Sequence, residues 1–285
     1  MATVARVGAM VYSRHMHSPR HHPSVTSTTC PAHRGAGFSL VELSIVMAIL
    51  GLLVGAVVAG RSFIQSSELL SINRELQQYQ AAIGMFKTKY GTLPGDMPDA
   101  VSVWGAQAGA TTDGADATCA ALTTGATGTA TCNGDGNGVI GQNNVGGNGQ
   151  YEVFRTWQHL ANAGMVSGKF TGIPMSSITG DSESVIGENV TASRFPKAGW
   201  TLGSVPSFDG DCEFSGQDLG VLLIFGGYSP EEPSCGGVLL SADAYGIDIK
   251  TDDGVPSTGK VLSSGTSYTL TDTTTLLSLI FRTDY

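Results

Sequence analysis

The most chemically suggestive stretch of this 285-residue chain reads Asn133-Gly134-Asp135-Gly136-Asn137-Gly138-Val139-Ile140. Side-chain oxygens at the first, third and fifth positions, Gly at the sixth and an aliphatic residue at the eighth open an EF-hand-type calcium loop. Val139 would add its carbonyl oxygen. The pattern departs at two places: the first position is Asn133 rather than Asp, and the twelfth is Asn144 rather than a bidentate Glu. Glu152, at the start of the helix expected next, can supply the missing carboxylate. The same residues form tight turns without any ion. Two readings therefore stand together: a structural Ca2+ site at Asn133, Asp135, Asn137, Val139 and Glu152, or a bare Gly/Asn turn. With one carboxylate inside the loop, any calcium affinity is expected to be weak. Asp248, Asp252 and Asp253 form a further acidic turn, read as solvated rather than ligating.

Four cysteines follow the N-terminal stretch: Cys119, Cys132, Cys212 and Cys235. An even count without a C-x-x-C pair favours two disulfides over a metal site in an exported chain. Proximity in sequence suggests Cys119–Cys132 and Cys212–Cys235, one of three possible connectivities. Catalytic groups are sparse. Five of the six histidines lie within the first 37 residues, leaving His159 alone in the remainder. A Ser–His–Asp triad or a His-ligated zinc then lacks its parts, so the chain is expected not to be an enzyme and His159 to be solvent-facing or hydrogen-bonded.

The elements that must position these residues begin with a segregated N-terminus. Residues 1–37 contain four Arg and no Asp or Glu, and Phe38 to Gly60 is apolar or small except for Ser39, Glu42 and Ser44. As a helix those residues reach about 35 Å, enough to cross a hydrocarbon core. After residue 37 there remain 11 basic and 24 acidic side chains. Basic before and acidic after predicts the N-terminus inside and the bulk of the chain outside. The formal charge of −9 excludes a nucleic-acid-binding domain built on a basic surface, and 41% hydrophobic residues exclude a disordered chain. A secretion signal cut after Val57-Val58-Ala59 conflicts with Glu42 inside the apolar run and with the unbroken helical pattern beyond it.

The residues Gly37-Phe38-Ser39-Leu40-Val41-Glu42-Leu43 and the apolar span after them resemble the processing site of type IV prepilins and type II secretion pseudopilins. The resemblance implies cleavage between Gly37 and Phe38 by prepilin peptidase, which also methylates the new Phe38 amine, and an assembly role for Glu42. Both the Phe38 ammonium and the Glu42 carboxylate are costly in lipid, so Glu42 of one subunit can neutralise Phe38 of a neighbour in a helical filament. It also implies an inner-membrane platform protein and an assembly ATPase as partners. The protein would sit in the inner membrane as a single pass, then in a surface or periplasmic filament. A 37-residue leader is long for this family, which makes Met10 or Met16 candidate starts. Leu93-Pro94-Gly95-Asp96, the Asn/Gly/Asp loop and Trp157-Gln158-His159-Leu160 are similar to a bacterial subgroup of pilin-like proteins.

No proline occurs from Phe38 to Leu93, and Ile72, Leu76, Tyr79, Ile83, Phe86 and Tyr90 share one helical face. Arg74, Glu75, Gln77, Gln78 and Gln80 are read as its polar remainder. One helix of about 53 residues is expected, stopped by Gly91 and Pro94-Gly95. The Ala-, Gly- and Thr-rich stretch 105–131 reads as a surface loop, Gln150 to Ala163 as an amphipathic helix. Gly220–Gly226 and Gly237–Leu240 read as buried strands, Trp200–Leu202 as a further strand, Lys260–Leu262 as an edge and Leu276–Phe281 as a last strand. Ser241 is expected to cap a short helix. The fold class is α+β and pilin-like: a long N-terminal helix, half membrane-spanning and half amphipathic, on a small antiparallel head with extended loops. The expected divisions are a leader at 1–37, a membrane and filament-core helix at 38–60, its amphipathic continuation at 61–93 and a head at 94–285. A filament subunit, either pilin or pseudopilin, is the leading expectation; a tethered or secreted calcium-dependent adhesion module is the rival.

Overall fold

The computed structural model describes residues 37–108, 127–141, 152–173, 184–205, 219–230 and 233–285. The chain divides into two units, one running to Val54 and one covering Gly55–Tyr285. Helix α1, Leu40–Tyr90, is 51 residues of continuous α-helix, about 76 Å at 1.5 Å per residue. Ser39 starts it by accepting the Val41 N–H on its hydroxyl at 3.3 Å, which satisfies one of the free amides of the first turn. Gly91, at φ +78°, ends it; that left-handed conformation suits glycine and cannot continue the helix.

In the first unit the helix is apolar all round and every described side chain is exposed. Phe38 is 82% and Leu40 86% exposed. Among the described residues α1 is the one helix long and apolar enough to cross a membrane.

In the second unit the helix becomes one-sided. Ile72, Leu76, Tyr79, Ile83 and Phe86 are buried, as their 3.6-residue period requires, and Tyr90 packs at the margin. They meet a five-stranded antiparallel sheet in the order β1-β2-β3-β7-β5. Its strands are β1 (Thr191–Ala192), β2 (Gly199–Val205), β3 (Gly220–Gly226), β5 (Val261–Ser263) and β7 (Leu279–Arg282). A smaller ribbon pairs β4 (Leu239–Leu240) with β6 (Leu276–Leu277). Among the described residues three further helices are α2 (Ala100–Trp104), α3 (Glu152–Asn162) and α4 (Ser241–Thr251). The Tyr79 ring meets Trp157 of α3 edge-on at 4.8 Å and Trp200 of β2 at 5.7 Å. Each such pair adds about 0.5–1.5 kcal/mol beyond its buried area, so Tyr79 ties helix, sheet and α3 together.

Several expectations are met and several are refined. The edge position of β5 and the buried strand β3 stand as read. The run Leu276–Phe281 is not one strand: Ser278 N–H donates to Ser264 Oγ at 3.0 Å, and the chain passes from β6 in the ribbon to β7 in the main sheet. Ser241 does not cap α4; its hydroxyl accepts the Thr269 N–H at 2.7 Å, and Leu240 occupies the N-cap position without a side-chain cap. Glu75 is not part of a solvated face. It is buried and accepts Trp200 Nε1–H at 2.8 Å, Ser193 Oγ–H at 2.6 Å and Arg194 N–H at 2.9 Å. The stretch 109–126 of the expected surface loop lies outside the described residues.

Candidate functional site

Two places carry chemistry. The first is the entry to α1. Gly37 has no described atom within 4 Å of where a Cβ would stand, so packing among the described residues does not demand glycine there. Phe38, Ser39, Leu40, Val41 and Glu42 are all exposed. Ser39 caps the helix and Glu42 falls in the first turn, where the positive end of the helix dipole favours a carboxylate. Phe38 and Glu42 are four residues apart, about 6 Å along a helix axis. The segment thus presents an accessible Gly–Phe bond, and one carboxylate about a helical turn inside it.

The second is a carboxylate cluster. Asp96, in the turn after α1, joins Asp135 of the Gly-rich loop and Glu152 at the start of α3. One oxygen from each lies within 4.8 Å of the others. Glycine permits this approach. A Cβ on Gly134 would stand 2.3 Å from the Asp96 carbonyl carbon, and one on Gly95 would stand 2.6 Å from the Glu152 carbonyl oxygen; both would clash with backbone. The Glu152 carboxylate accepts N–H groups from Asp135 at 2.9 Å and Gly141 at 3.0 Å. Asp96 Oδ2 accepts the Gly138 N–H at 3.0 Å. Burial pushes Glu152 up to about 8, with the Asp135 and Asp96 charges adding to it and the two N–H donors opposing it. Burial also raises Asp96 to about 6, again with Asp135 adding and the Gly138 amide opposing.

Asp135 and Glu152 therefore come together as the sequence pattern suggested. Asn133 and Asn137 turn their oxygens to the backbone instead: Asn133 Oδ1 accepts Val101 N–H at 2.8 Å, and Asn137 Oδ1 accepts Val139 N–H at 2.6 Å. Val139 is partly exposed beside them. Asn144 lies outside the described residues. Asp96 was missed because it is 39 positions before Asp135; the Pro94-Gly95 turn in front of it was the available signal.

The other acidic group, Asp248, Asp252 and Asp253, differs in its partners. Asp248 accepts Tyr268 O–H at 2.8 Å and Gly254 N–H at 3.2 Å. Asp252 Oδ2 takes the N–H groups of Lys260 and Val261. Asp253 takes Val255 N–H and Thr258 O–H. These carboxylates organise a turn.

Cys132 and Cys235 are both disulfide-bonded; Cys119 and Cys212 lie outside the described residues. His159 is fully buried. Its Nδ1 accepts the Gly95 N–H at 3.0 Å, which leaves Nε2 protonated and facing Thr131 Oγ1 at 3.0 Å and the Cys132 carbonyl at 3.3 Å. Burial lowers it to about 3, with the Arg155 charge adding to the effect and the Cys132 carbonyl opposing it. It works as a neutral structural link between the α1 exit, the disulfide segment and α3.

Residues 33–58 match the protein family described as the prokaryotic N-terminal methylation motif. The chain carries the type IV pilin and pseudopilin signature. The matched stretch spans Gly37, Phe38 and Glu42 and the exposed apolar part of α1. With the antiparallel head, the arrangement is α+β and pilin-like. An apolar helix at that position fits anchoring in a membrane. Neither a curated protein nor a solved structure matches the chain.

Proposed function

We propose that this protein is a structural subunit of a type IV pilus or pilin-like filament, cut between Gly37 and Phe38 by prepilin peptidase and polymerised through its N-terminal helix. The observation that carries the proposal is the methylation motif at residues 33–58, whose apolar stretch forms the exposed first part of helix α1. Such a helix is stable in lipid or among copies of itself, not in water. Residues 38–60 would serve as membrane anchor and then filament core, with 61–93 and the head at 94–285 carried outward from the cytoplasmic leader at 1–37. The inner-membrane platform and the assembly ATPase would extract and stack subunits, and the chain itself would perform no catalysis. The disulfide state of Cys132 and Cys235 supports pairing with Cys119 and Cys212 in an oxidising compartment.

Mass spectrometry of the N-terminal peptide, taken from sheared surface material and from membranes, tests this. Methylated Phe38 is expected in both fractions from cells expressing the wild type. Glu42→Ala is expected to keep methylated Phe38 in the membrane and to reduce the sheared fraction at least tenfold. Methylated Phe38 confined to membranes would indicate a secretion pseudopilin. A mature N-terminus elsewhere would overturn the filament reading.

A further inference from the structure

The carboxylate cluster of the head has a property that the processing signature leaves unexplained. Three acidic side chains converge from three segments that are far apart in sequence, and two of them are buried: Asp96 is 2% and Glu152 3% exposed. Asp96 is anchored through Oδ2 by the Gly138 amide, with the Gly136 amide also acting on the carboxylate, while its Oδ1 is buried and makes no well-formed hydrogen bond. A buried carboxylate oxygen without a donor is costly unless a cation takes it. Among the described residues the cation beside the cluster is Arg155, buried on α3 and attracted by Glu152. One guanidinium beside three carboxyl groups cannot balance them if all three ionise.

We propose that Asp96, Asp135 and Glu152 together bind one Ca2+ ion that staples the turn after α1 and the Gly-rich loop to the start of α3. Each carboxylate oxygen that already accepts an N–H retains a second lone pair. Calcium takes oxygen ligands at about 2.3–2.6 Å and tolerates irregular geometry, so oxygens up to about 4.8 Å apart can face one ion. Magnesium demands about 2.0–2.1 Å and a regular octahedron, which this spread of oxygens suits less well. Water completes the shell on the exposed Asp135 side. The site differs from an EF-hand: Asp135 comes from inside the loop, Asp96 from the turn after α1 and Glu152 from the first residue of α3. Binding would hold in place a segment that is short of apolar anchors, and it does so whether or not the protein assembles into a filament.

The test uses full-length protein in detergent micelles, stripped with EGTA and titrated with CaCl2 or MgCl2. Calorimetry reads stoichiometry and thermal unfolding followed by tryptophan fluorescence reads the head. One Ca2+ per chain is expected, with a rise in Tm that EGTA reverses. Asp96→Asn is expected to weaken Ca2+ binding at least tenfold, while its Tm in EGTA equals or exceeds that of the wild type because the unpartnered charge is gone. A purely structural role for Asp96 would lower that Tm instead. Asp135→Asn, at an exposed position, weakens binding without endangering the fold and serves if Asp96→Asn fails to fold. Asp253→Asn, in the other acidic group, leaves binding unchanged. No Ca2+-dependent shift, a shift that survives both Asp96→Asn and Asp135→Asn, or an equal response to MgCl2 would overturn the proposal. None of these outcomes bears on cleavage at Gly37, so the two readings fail separately.

Discussion

The early and late parts of α1 obey one backbone geometry and two different patterns of side chains. From Phe38 to Ile64 the large apolar residues are open on all sides. From Ile72 to Phe86 they return every three or four positions and are buried against strands and α3. The late part takes its stability from a partner on the same chain, because one stripe is enough to hold a helix on a head. The early part has no polar face to turn to water, so it must find lipid or other copies of itself. The contrast is one of separate sources of stability: the late part and the head hold each other, and the early part depends on its surroundings.

The strongest way to separate them is to cut side chains from each. Phe86→Ala removes a fully buried ring and is expected to destabilise the head by about 3–5 kcal/mol. Leu53→Ala, in the exposed stretch, should leave head unfolding unchanged while lowering retention in membranes. Denaturant unfolding of the full-length protein, followed by tryptophan fluorescence, measures the first; membrane fractionation measures the second. If both substitutions destabilised the head equally, the contrast would not hold.

A smaller effect is expected at Glu75, the buried carboxylate that the late helix offers to β2 and the segment after β1. Glu75→Ala strands three donors, Trp200 Nε1, Ser193 Oγ and Arg194 N, and should cost about 2–3 kcal/mol. Gln77→Ala, on the exposed side of the same helix, should change stability by less than about 0.5 kcal/mol. The same unfolding measurement compares the pair.

The smallest effect is a pH dependence at the point where the helix ends on the head. Phe86 stacks near His159 with ring centroids 6.3 Å apart. The His159 imidazole is neutral in the folded state down to about pH 3, whereas an unfolded histidine gains its proton near pH 6.5. The unfolded state binds more protons below that value, so this contribution to stability is present above pH 6.5 and is lost as pH falls toward 3. Glu152 and Asp96, raised by burial, act in the opposite direction. A comparison with His159→Gln cancels them. The stability advantage of wild type over His159→Gln should shrink by about 2 kcal/mol between pH 7 and pH 5. An advantage that stayed constant would mean that the folded imidazole takes up its proton at the same pH as in the unfolded chain.

Local chemistry made much of this legible beforehand. The spacing of Ile72, Leu76, Tyr79, Ile83 and Phe86 announced both the helix and its buried face, because a 3.6-residue period is a property of the chain itself. Gly220 and Gly226 bracketed β3, and the Gly37–Glu42 pattern stood out because processing reads a short linear segment. Other roles were hidden for an equally physical reason. Glu75 looks like any helix-surface carboxylate until β2 brings the indole of Trp200 to it. Ser278 looks like one more strand residue until Ser264 takes its amide and divides β6 from β7.

What the sequence determined by itself was the processing signature, the long helix and the class of fold, since each rests on charge, period or contiguous residue types. What only the tertiary structure decided was the company of the acidic residues. Asp96 stands 39 positions before Asp135, and no local pattern reports that their carboxylates meet. Asp248, Asp252 and Asp253 read as an acidic turn, and their hydroxyl and amide partners hold them in one. Whether a buried charge ends up with a donor or without one depends on which distant backbone arrives beside it, and packing alone fixes that.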